Sequence, residues 1–336
     1  MAKDLGDIKH FSKEDKRFAT SEDVADYRAN RLKCNKIADL CSGIGVQAGA
    51  FAKTCKEVLA VEIDERKVEN SIKNFPNENL TFICGDVLDE KIIKKIQDFK
   101  PEIIFCDPER LAEEKERTIG SIKPDLKKLI KIYSKINNNI CIEIPPRIGL
   151  EKLRDLGLFE AEYLSINNKL NRLDIYFGDL KKSEVSVVDV FSEMRIEKSE
   201  KATKIKSVRT PFKYIFEISE AIIKAGLINE YAQKIKGFVL ENKDKNKVFL
   251  TSDGFEEDDL LSLCKSYEII GICDNLREAI RILKQSQFGK VVLKYSIEPK
   301  EYWKERNMIE NQLNKNLKTE ANLFKINGQF VVGEEV

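Results

Sequence analysis

The sequence predicts an α/β fold: a doubly wound, mainly parallel sheet that ends in an antiparallel hairpin strand, followed by a second, smaller α/β domain. Three observations carry this. From Ile37 onward a short aliphatic run ending in a small or acidic residue is followed by a helical stretch, and the unit repeats. After Leu150 two strand-like runs adjoin across a short Asn-rich loop and must therefore be antiparallel. A chain of 336 residues suits two domains, each able to bury a core.

Residues 1–36 read as a polar N-terminal segment with one helix, over 21–33, opened by Thr20-Ser-Glu-Asp23, a hydroxyl cap with acids in the first turn. The sheet domain is expected over 37–182. Its strands are Ile37–Leu40, Val58–Ile63, Leu80–Cys84, Glu102–Cys106 and Ile140–Ile144, then a helix near Leu150–Asp155 and the hairpin Ala161–Ile166 with Leu173–Phe177. Residues 183–210, polar and Lys-rich after a candidate strand at Val185–Val190, read as a linker. The second domain, 211–336, is read as a helix from Glu217 to Gln233, a hairpin of Gly237–Leu240 with Val248–Thr251 turned by Asn242–Asn246, a strand Glu268–Ile272, a helix Leu276–Gln285, a strand Val291–Tyr295, a helix Lys300–Asn314 and a last hairpin turned by Asn327-Gly328.

Charge and rare residues bound the function. Lys and Arg number 58 against 57 Asp and Glu, so a basic nucleic-acid tail is excluded and nucleic-acid binding must come from local patches. A single histidine, His10, removes a His-rich metal site or a Ser-His-Asp triad from consideration, and no metal is expected. Eight cysteines without a C-x-x-C pair read as reduced core thiols of a cytoplasmic protein. The N-terminus has no apolar signal region, and no run approaches the roughly 18 apolar residues of a membrane span.

The sharpest local pattern is Asp39-Leu-Cys-Ser-Gly43-Ile-Gly45-Val-Gln-Ala-Gly49, which ends a strand and opens a helix, where glycines let the backbone approach a cofactor. The same letters satisfy G-x-G-x-x-A with Glu62 19 residues past Gly43, so a nicotinamide dinucleotide enzyme is a second reading. Acids after the first four strands, at 39, 62, 86 and 107, recur every 21 to 24 residues, one βα unit each. Carboxyl ends of parallel strands converge on one crevice. S-adenosylmethionine suits four acids there, with an amino group, a ribose diol, an adenine amine and a sulfonium to offer them.

In these motifs, over about residues 37–180, the chain resembles the class I S-adenosylmethionine-dependent methyltransferases. The resemblance implies that Asp39, Cys41 and the Gly43–Gly45 loop hold the methionine end. It implies also that Glu62 accepts from the ribose, Ile63 packs on adenine, and Asp86 with Val87 meets the adenine amine. Asp107-Pro108-Glu109-Arg110 stands where enzymes acting on base nitrogens carry D-P-P-Y or N-P-P-Y, which implies catalytic roles for Asp107, Pro108 and Arg110; the stacking aromatic is absent, leaving the Arg110 guanidinium plane or an ion pair as alternatives. Cys106, inside the strand, is read as buried rather than nucleophilic.

The segment Phe11-Ser-Lys-Glu-Asp-Lys-Arg-Phe18 resembles the lead-in of trimethylguanosine synthase and archaeal RNA methylases. Lys213-Tyr-Ile-Phe-Glu217 and Ala221-Ile-Ile-Lys-Ala-Gly226 are similar to a THUMP-like accessory domain, although Leu111 stands where that group usually has a second arginine. These resemblances imply an RNA methyltransferase, with tRNA favoured and a guanine nitrogen as acceptor. Candidate RNA contacts are Arg28 and Arg31 on the first helix, Arg147 after Pro145-Pro146, and the run Lys198, Lys201, Lys204, Lys206 and Arg209; Tyr302 and Trp303 are read as core or as base-stacking groups. A methyltransferase for a small molecule or a protein, and a non-catalytic RNA-binding subunit, remain the alternatives.

Overall fold

The computed structural model describes residues 8, 9, 11, 12, 15, 19–110, 119–241, 247–254 and 259–336, without the side chains of Arg110, Asp259 and Leu260. His10 and the Asn242–Asn246 turn lie outside the described residues. The chain divides into two compact units, residues 1–164 with 171–191 and residues 165–170 with 192–336.

In the first unit the helix α1 (Glu22–Arg31) precedes β1 (Lys36–Leu40), α2 (Val46–Thr54), β2 (Glu57–Glu62), α3 (Glu65–Asn74), β3 (Leu80–Cys84), α4 (Glu90–Phe99) and β4 (Ile103–Cys106). A two-stranded ribbon, β5 (Glu109–Arg110) and β6 (Ile122–Lys123), α5 (Leu126–Tyr133), β7 (Ile140–Ile144), the hairpin β8 (Glu160–Ile166) and β9 (Lys169–Tyr176), and β10 (Val185–Asp189) follow. The sheet order is β10-β8-β9-β7-β4-β1-β2-β3. Strands β7, β4, β1, β2 and β3 are mutually parallel, while β9 runs antiparallel to β7. This is the doubly wound α/β sheet with a closing hairpin.

The parallel strands are apolar without alternation because helices cover both faces: β4 and β7 are buried at every position. On one face Ala25 and Ala29 of α1 and Phe51 of α2 share a core with Ile37, Phe105 and Cys141, with Phe51 edge-on to Phe105 at 5.4 Å. Acids cap the outer helices, Asp64, Asp89 and Asp125 accepting main-chain N–H bonds at the starts of α3, α4 and α5. Ser21 sits at the N-cap of α1 as expected, but its hydroxyl makes no cap bond. Leu150–Leu156 winds as a 3-10 rather than an α-helix. Cys84 is exposed, whereas Cys55, Cys106, Cys141, Cys264 and Cys273 are buried, and all eight thiols are free.

The second unit contains β11 (Arg195–Glu197), β12 (Ser207–Val208), β13 (Tyr214–Ile218), α6 (Glu220–Ala225), α7 (Ile228–Lys234), β14 (Phe238–Leu240), β15 (Phe249–Ser252), β16 (Cys264–Cys273), α8 (Leu276–Gln285), β17 (Lys290–Leu293), α9 (Pro299–Glu310), β18 (Glu320–Ile326) and β19 (Gln329–Glu335). Eight of these strands form a sheet in the order β12-β14-β15-β13-β16-β19-β18-β17. The single helix expected from Glu217 to Gln233 is in fact the end of a central strand and two short helices. Tyr214-Ile-Phe-Glu-Ile218 pairs on both sides with β15 and β16, Ser219 caps α6, and Gly226 at φ 71° ends it. The last hairpin turns through Asn327 and Gly328, both at positive φ. Among the described residues no helix is long and apolar enough to cross a membrane.

Candidate active site

The crevice begins where β1 ends. Cys41, Gly43 and Gly45 take φ of 65°, 58° and 81°, so every second residue of the loop is left-handed and the chain curls tightly before α2. A Cβ at Gly45 would press on Ser71, Phe75 and Phe82 at 3.0 to 3.1 Å, whereas one at Gly43 would meet nothing within 4 Å and would project into open space. The Gly43 N–H donates to Glu62 Oε2 at 2.8 Å, and the other Glu62 oxygen accepts from Ile63 and Asp64, so one carboxylate at the end of β2 ties both loops. The Ile63 side chain is exposed. Beyond β3, Asp86 accepts from the Leu88 N–H at 2.8 Å, and Val87 is buried with its carbonyl accepting from Tyr133 Oη.

Asp39 is fully buried, and neither of its carboxylate oxygens has a hydrogen-bond partner among the described residues. Burial, reinforced by Asp107 and Glu62, pushes its carboxyl well above the usual range. A buried carboxylate without donors is a costly arrangement that a cationic ligand relieves.

The acceptor end is built from register. Cys106 pairs with Ile142 and Glu143 pairs with Asp174, so Asp107, one residue past Cys106, stands beside Glu143 and completes a row of three carboxylates across β4, β7 and β9. Arg28 of α1 reaches into this row. Its Nε and Nη2 donate to Asp174 at 2.9 and 2.7 Å, Nη2 donates also to Glu143 at 2.6 Å, and the guanidinium lies 5.4 Å from the Phe105 ring centroid. Arg172 Nε is 3.0 Å from the other Glu143 oxygen. Burial and Glu143 push the Asp107 carboxyl up to about 7, although Arg28 and Arg172 oppose the shift, and burial likewise raises Asp174 to about 6 against Arg28. Burial works against the charge on Arg28, but Asp174 and Glu143 hold its proton firmly.

The structure thus brings Asp39, Cys41, Gly43, Gly45, Glu62, Ile63, Asp86, Val87 and Asp107 to the carboxyl ends of neighbouring strands. Pro108 is buried beside them, and Arg110 enters the ribbon β5, its side chain outside the described residues. Two expected RNA contacts need correction. Arg28 has no exposed surface, and Arg31 donates to the Leu180 carbonyl, approaches Glu160 and Glu162 and lies over the Tyr176 ring at 4.6 Å. Both arginines face inward because four acids wait there, which charge counting along a helix cannot reveal. Arg147 is exposed, as are Lys201, Lys204, Lys206 and Arg209. Trp303 on α9 is exposed at 63%, which removes the core reading for it.

Glu143 and Asp174 escaped the sequence reading. Their signal was an acid set inside an otherwise apolar strand, Ile140-Cys-Ile-Glu-Ile144 and Leu173-Asp-Ile-Tyr176.

Residues 34–180 match the family model described as RNA cap guanine-N2 methyltransferase. The ribosomal RNA large subunit methyltransferase E of Methanococcus vannielii is 39% identical over 77 residues, 22% of this chain, and the match spans only 28% of that relative's length. A crystal structure of a candidate methyltransferase from Porphyromonas gingivalis W83 superposes with a TM-score of 0.77 over 98% of this chain and 84% of that one, at 15% identity, a likeness of fold. The donor set fits S-adenosylmethionine: an orphaned buried carboxylate at Asp39, open space beside Gly43, and Glu62 with lone pairs to spare. Residues 34–180, the segment that matches this family model, are also the segment that holds the parallel strands and the crevice.

Proposed function

We propose that this chain is an S-adenosylmethionine-dependent RNA methyltransferase whose acceptor is a guanine nitrogen in tRNA or another structured RNA. The observation that carries the reading is the buried Asp39 carboxylate, which has no donor among the described residues and lies in one crevice with Asp107. The guanine-N2 description of the matching family supports the acceptor.

Bound S-adenosylmethionine would supply the methyl group on a sulfonium. Asp39 and the Cys41–Gly45 loop would hold its amino-acid end, Glu62 the ribose hydroxyls, Ile63 a face of adenine, and Asp86 with Val87 the adenine edge. Asp107 would accept a hydrogen bond from the exocyclic amine of the base and take up its proton; a carboxyl near neutrality is matched to that task. Pro108 would fix the turn that presents the Asp107 carboxylate. Much of the rate then comes from alignment and exclusion of water. RNA would be drawn by Arg147 and by Lys201, Lys204, Lys206 and Arg209, and residues 211–336 would serve as a THUMP-like RNA-presenting domain.

The test is transfer from methyl-labelled S-adenosylmethionine to RNA from cells lacking the modification. Ribonuclease-sensitive label that digests to an N-methylated guanosine is expected. Label only on protein or small molecules would replace the acceptor, and tight cofactor binding without turnover would replace the enzyme with a binding subunit.

A further inference from the structure

Arg28, Glu143, Asp174 and Arg172 form a cluster of buried charge on the acceptor side of the sheet that no proposed cofactor contact uses. One of its two cations, Arg28, comes from the helix that precedes the sheet altogether.

Two features make this more than a packing device. The carboxylates stand at one level on three adjacent strands, because Cys106 pairs with Ile142 and Glu143 with Asp174, so Asp107 is their next neighbour in the row. Arg28 spends Nε and Nη2 on Asp174 and Glu143, and its Nη1 makes no hydrogen bond among the described residues. A buried ion cluster is a poor source of stability, since desolvation offsets most of its attraction. Its position beside Asp107 points to a different role.

We propose that Arg28 is a positioning residue of the methyl-acceptor site, fixing through Glu143 and Asp174 the carboxylate row in which Asp107 stands and supplying the positive charge that keeps Asp107 able to accept a proton. The proposal rests on the reading of Asp107 as the group that meets the acceptor nitrogen. The groups that act on Asp107 are Arg28 from α1, Asp39 from β1, Cys106 from β4, Glu143 from β7, and Arg172 and Asp174 from β9. Arg28 and Arg172 favour its ionised form, while Glu143 and Asp174 oppose it.

Opposite charges predict opposite shifts. In protein labelled with 13C at the aspartate carboxyls, with the Asp107 signal identified by its loss in Asp107→Asn, titration without cofactor gives the midpoint directly. Arg28→Met is expected to raise the Asp107 midpoint by about one pH unit or more, and Glu143→Gln to lower it by about one unit, with Arg28→Lys near wild type. In single-turnover methyl transfer from about pH 5 to 9 the acid limb should move the same way, upward in Arg28→Met and downward in Glu143→Gln, because the carboxylate is the competent form. Arg28→Lys should restore the limb but not the full rate, falling about tenfold, since an ammonium cannot reproduce the fork.

A general loosening of the fold cannot move the two variants in opposite directions. Unmoved midpoints in folded Arg28→Met and Glu143→Gln, or shifts of the same sign, overturn the proposal. If Arg28→Met does not fold, Glu143→Gln and Arg28→Lys decide it. If the wild type transfers no methyl group to RNA, the acceptor reading fails while the carboxyl titration still decides the role of Arg28.

Discussion

Tyr133 Oη donates a 2.7 Å hydrogen bond to the main-chain carbonyl of Val87, joining the last turn of α5 to the loop after β3. The tyrosine is buried, and burial raises its hydroxyl further from ionisation, so it stays a donor. Removing it in Tyr133→Phe leaves a buried carbonyl unpaired, a cost of about 1–3 kcal/mol. Calorimetry with S-adenosylhomocysteine should show a several-fold weaker complex. Unchanged affinity would place the Asp86–Val87 loop outside the cofactor site.

Asp39→Asn separates binding from stability. The substitution replaces a buried carboxyl that has no partner among the described residues with a neutral amide of similar shape, so the unliganded protein should melt no lower than wild type, while cofactor affinity falls by at least about tenfold. A lower melting temperature together with intact affinity would make Asp39 a structural acid.

Stability should fall as pH rises across a defined window. Asp107 at about 7 and Asp174 at about 6 both lie above the ordinary 3.8, so between pH 3.8 and about 7 the native state holds more protons than the unfolded chain. The contribution of these two carboxyls is then fully present below that window and is lost as pH rises through it. Urea unfolding of the unliganded protein at successive pH values should show the decline, and Asp107→Asn should flatten its upper part. An Asp107→Asn profile that runs parallel to wild type across this range would contradict the Asp107 assignment.

Arg31 anchors rather than binds. Arg31→Ala removes the cation beside Glu160 and Glu162 and over the Tyr176 ring, while Ser186 still donates to Glu160 and Tyr27 and Tyr176 to Glu162, so a loss of about 3 kcal/mol is expected in chemical unfolding. Where the variant is still folded, the salt dependence of RNA binding should match wild type. A shallower slope, by about one counterion, would return Arg31 to the RNA surface.

For Trp303 the expectation reverses. Its ring is exposed with the Arg306 guanidinium 5.5 Å from the centroid, so Trp303→Ala should leave unfolding nearly unchanged. If RNA bases stack there, its affinity for RNA drops by about 1–3 kcal/mol in a filter-binding titration. Equal affinity would leave this aromatic without a part in RNA binding.

The parallel sheet was legible because each of its strands carries a dense aliphatic run and stops at a small or acidic residue, as at Asp39, Glu62, Asp86 and Asp107. The cofactor side followed, since its groups sit at strand ends in sequence order. The acceptor side did not. Glu143, Asp174 and Arg28 are separated by more than a hundred residues from Arg28 onward and meet only through the register of β7 with β9 and the path of α1, none of which leaves a local spacing. On a short polar helix of low amphipathic contrast, Arg28 and Arg31 look like solvent-facing charges. In the second unit the expected helix took in Glu217 and Ile218, the last two residues of β13, because Glu217-Ile-Ser-Glu-Ala-Ile-Ile223 mimics a helical period; the partners that make them strand, β15 and β16, come 30 or more residues later.

Glu109 pairs with Lys123 and Arg110 with Ile122, so the chain that departs after Asp107 is clasped to its own return before it goes further. The backbone that leaves the carboxylate is thereby anchored by strand pairing within three residues of Asp107.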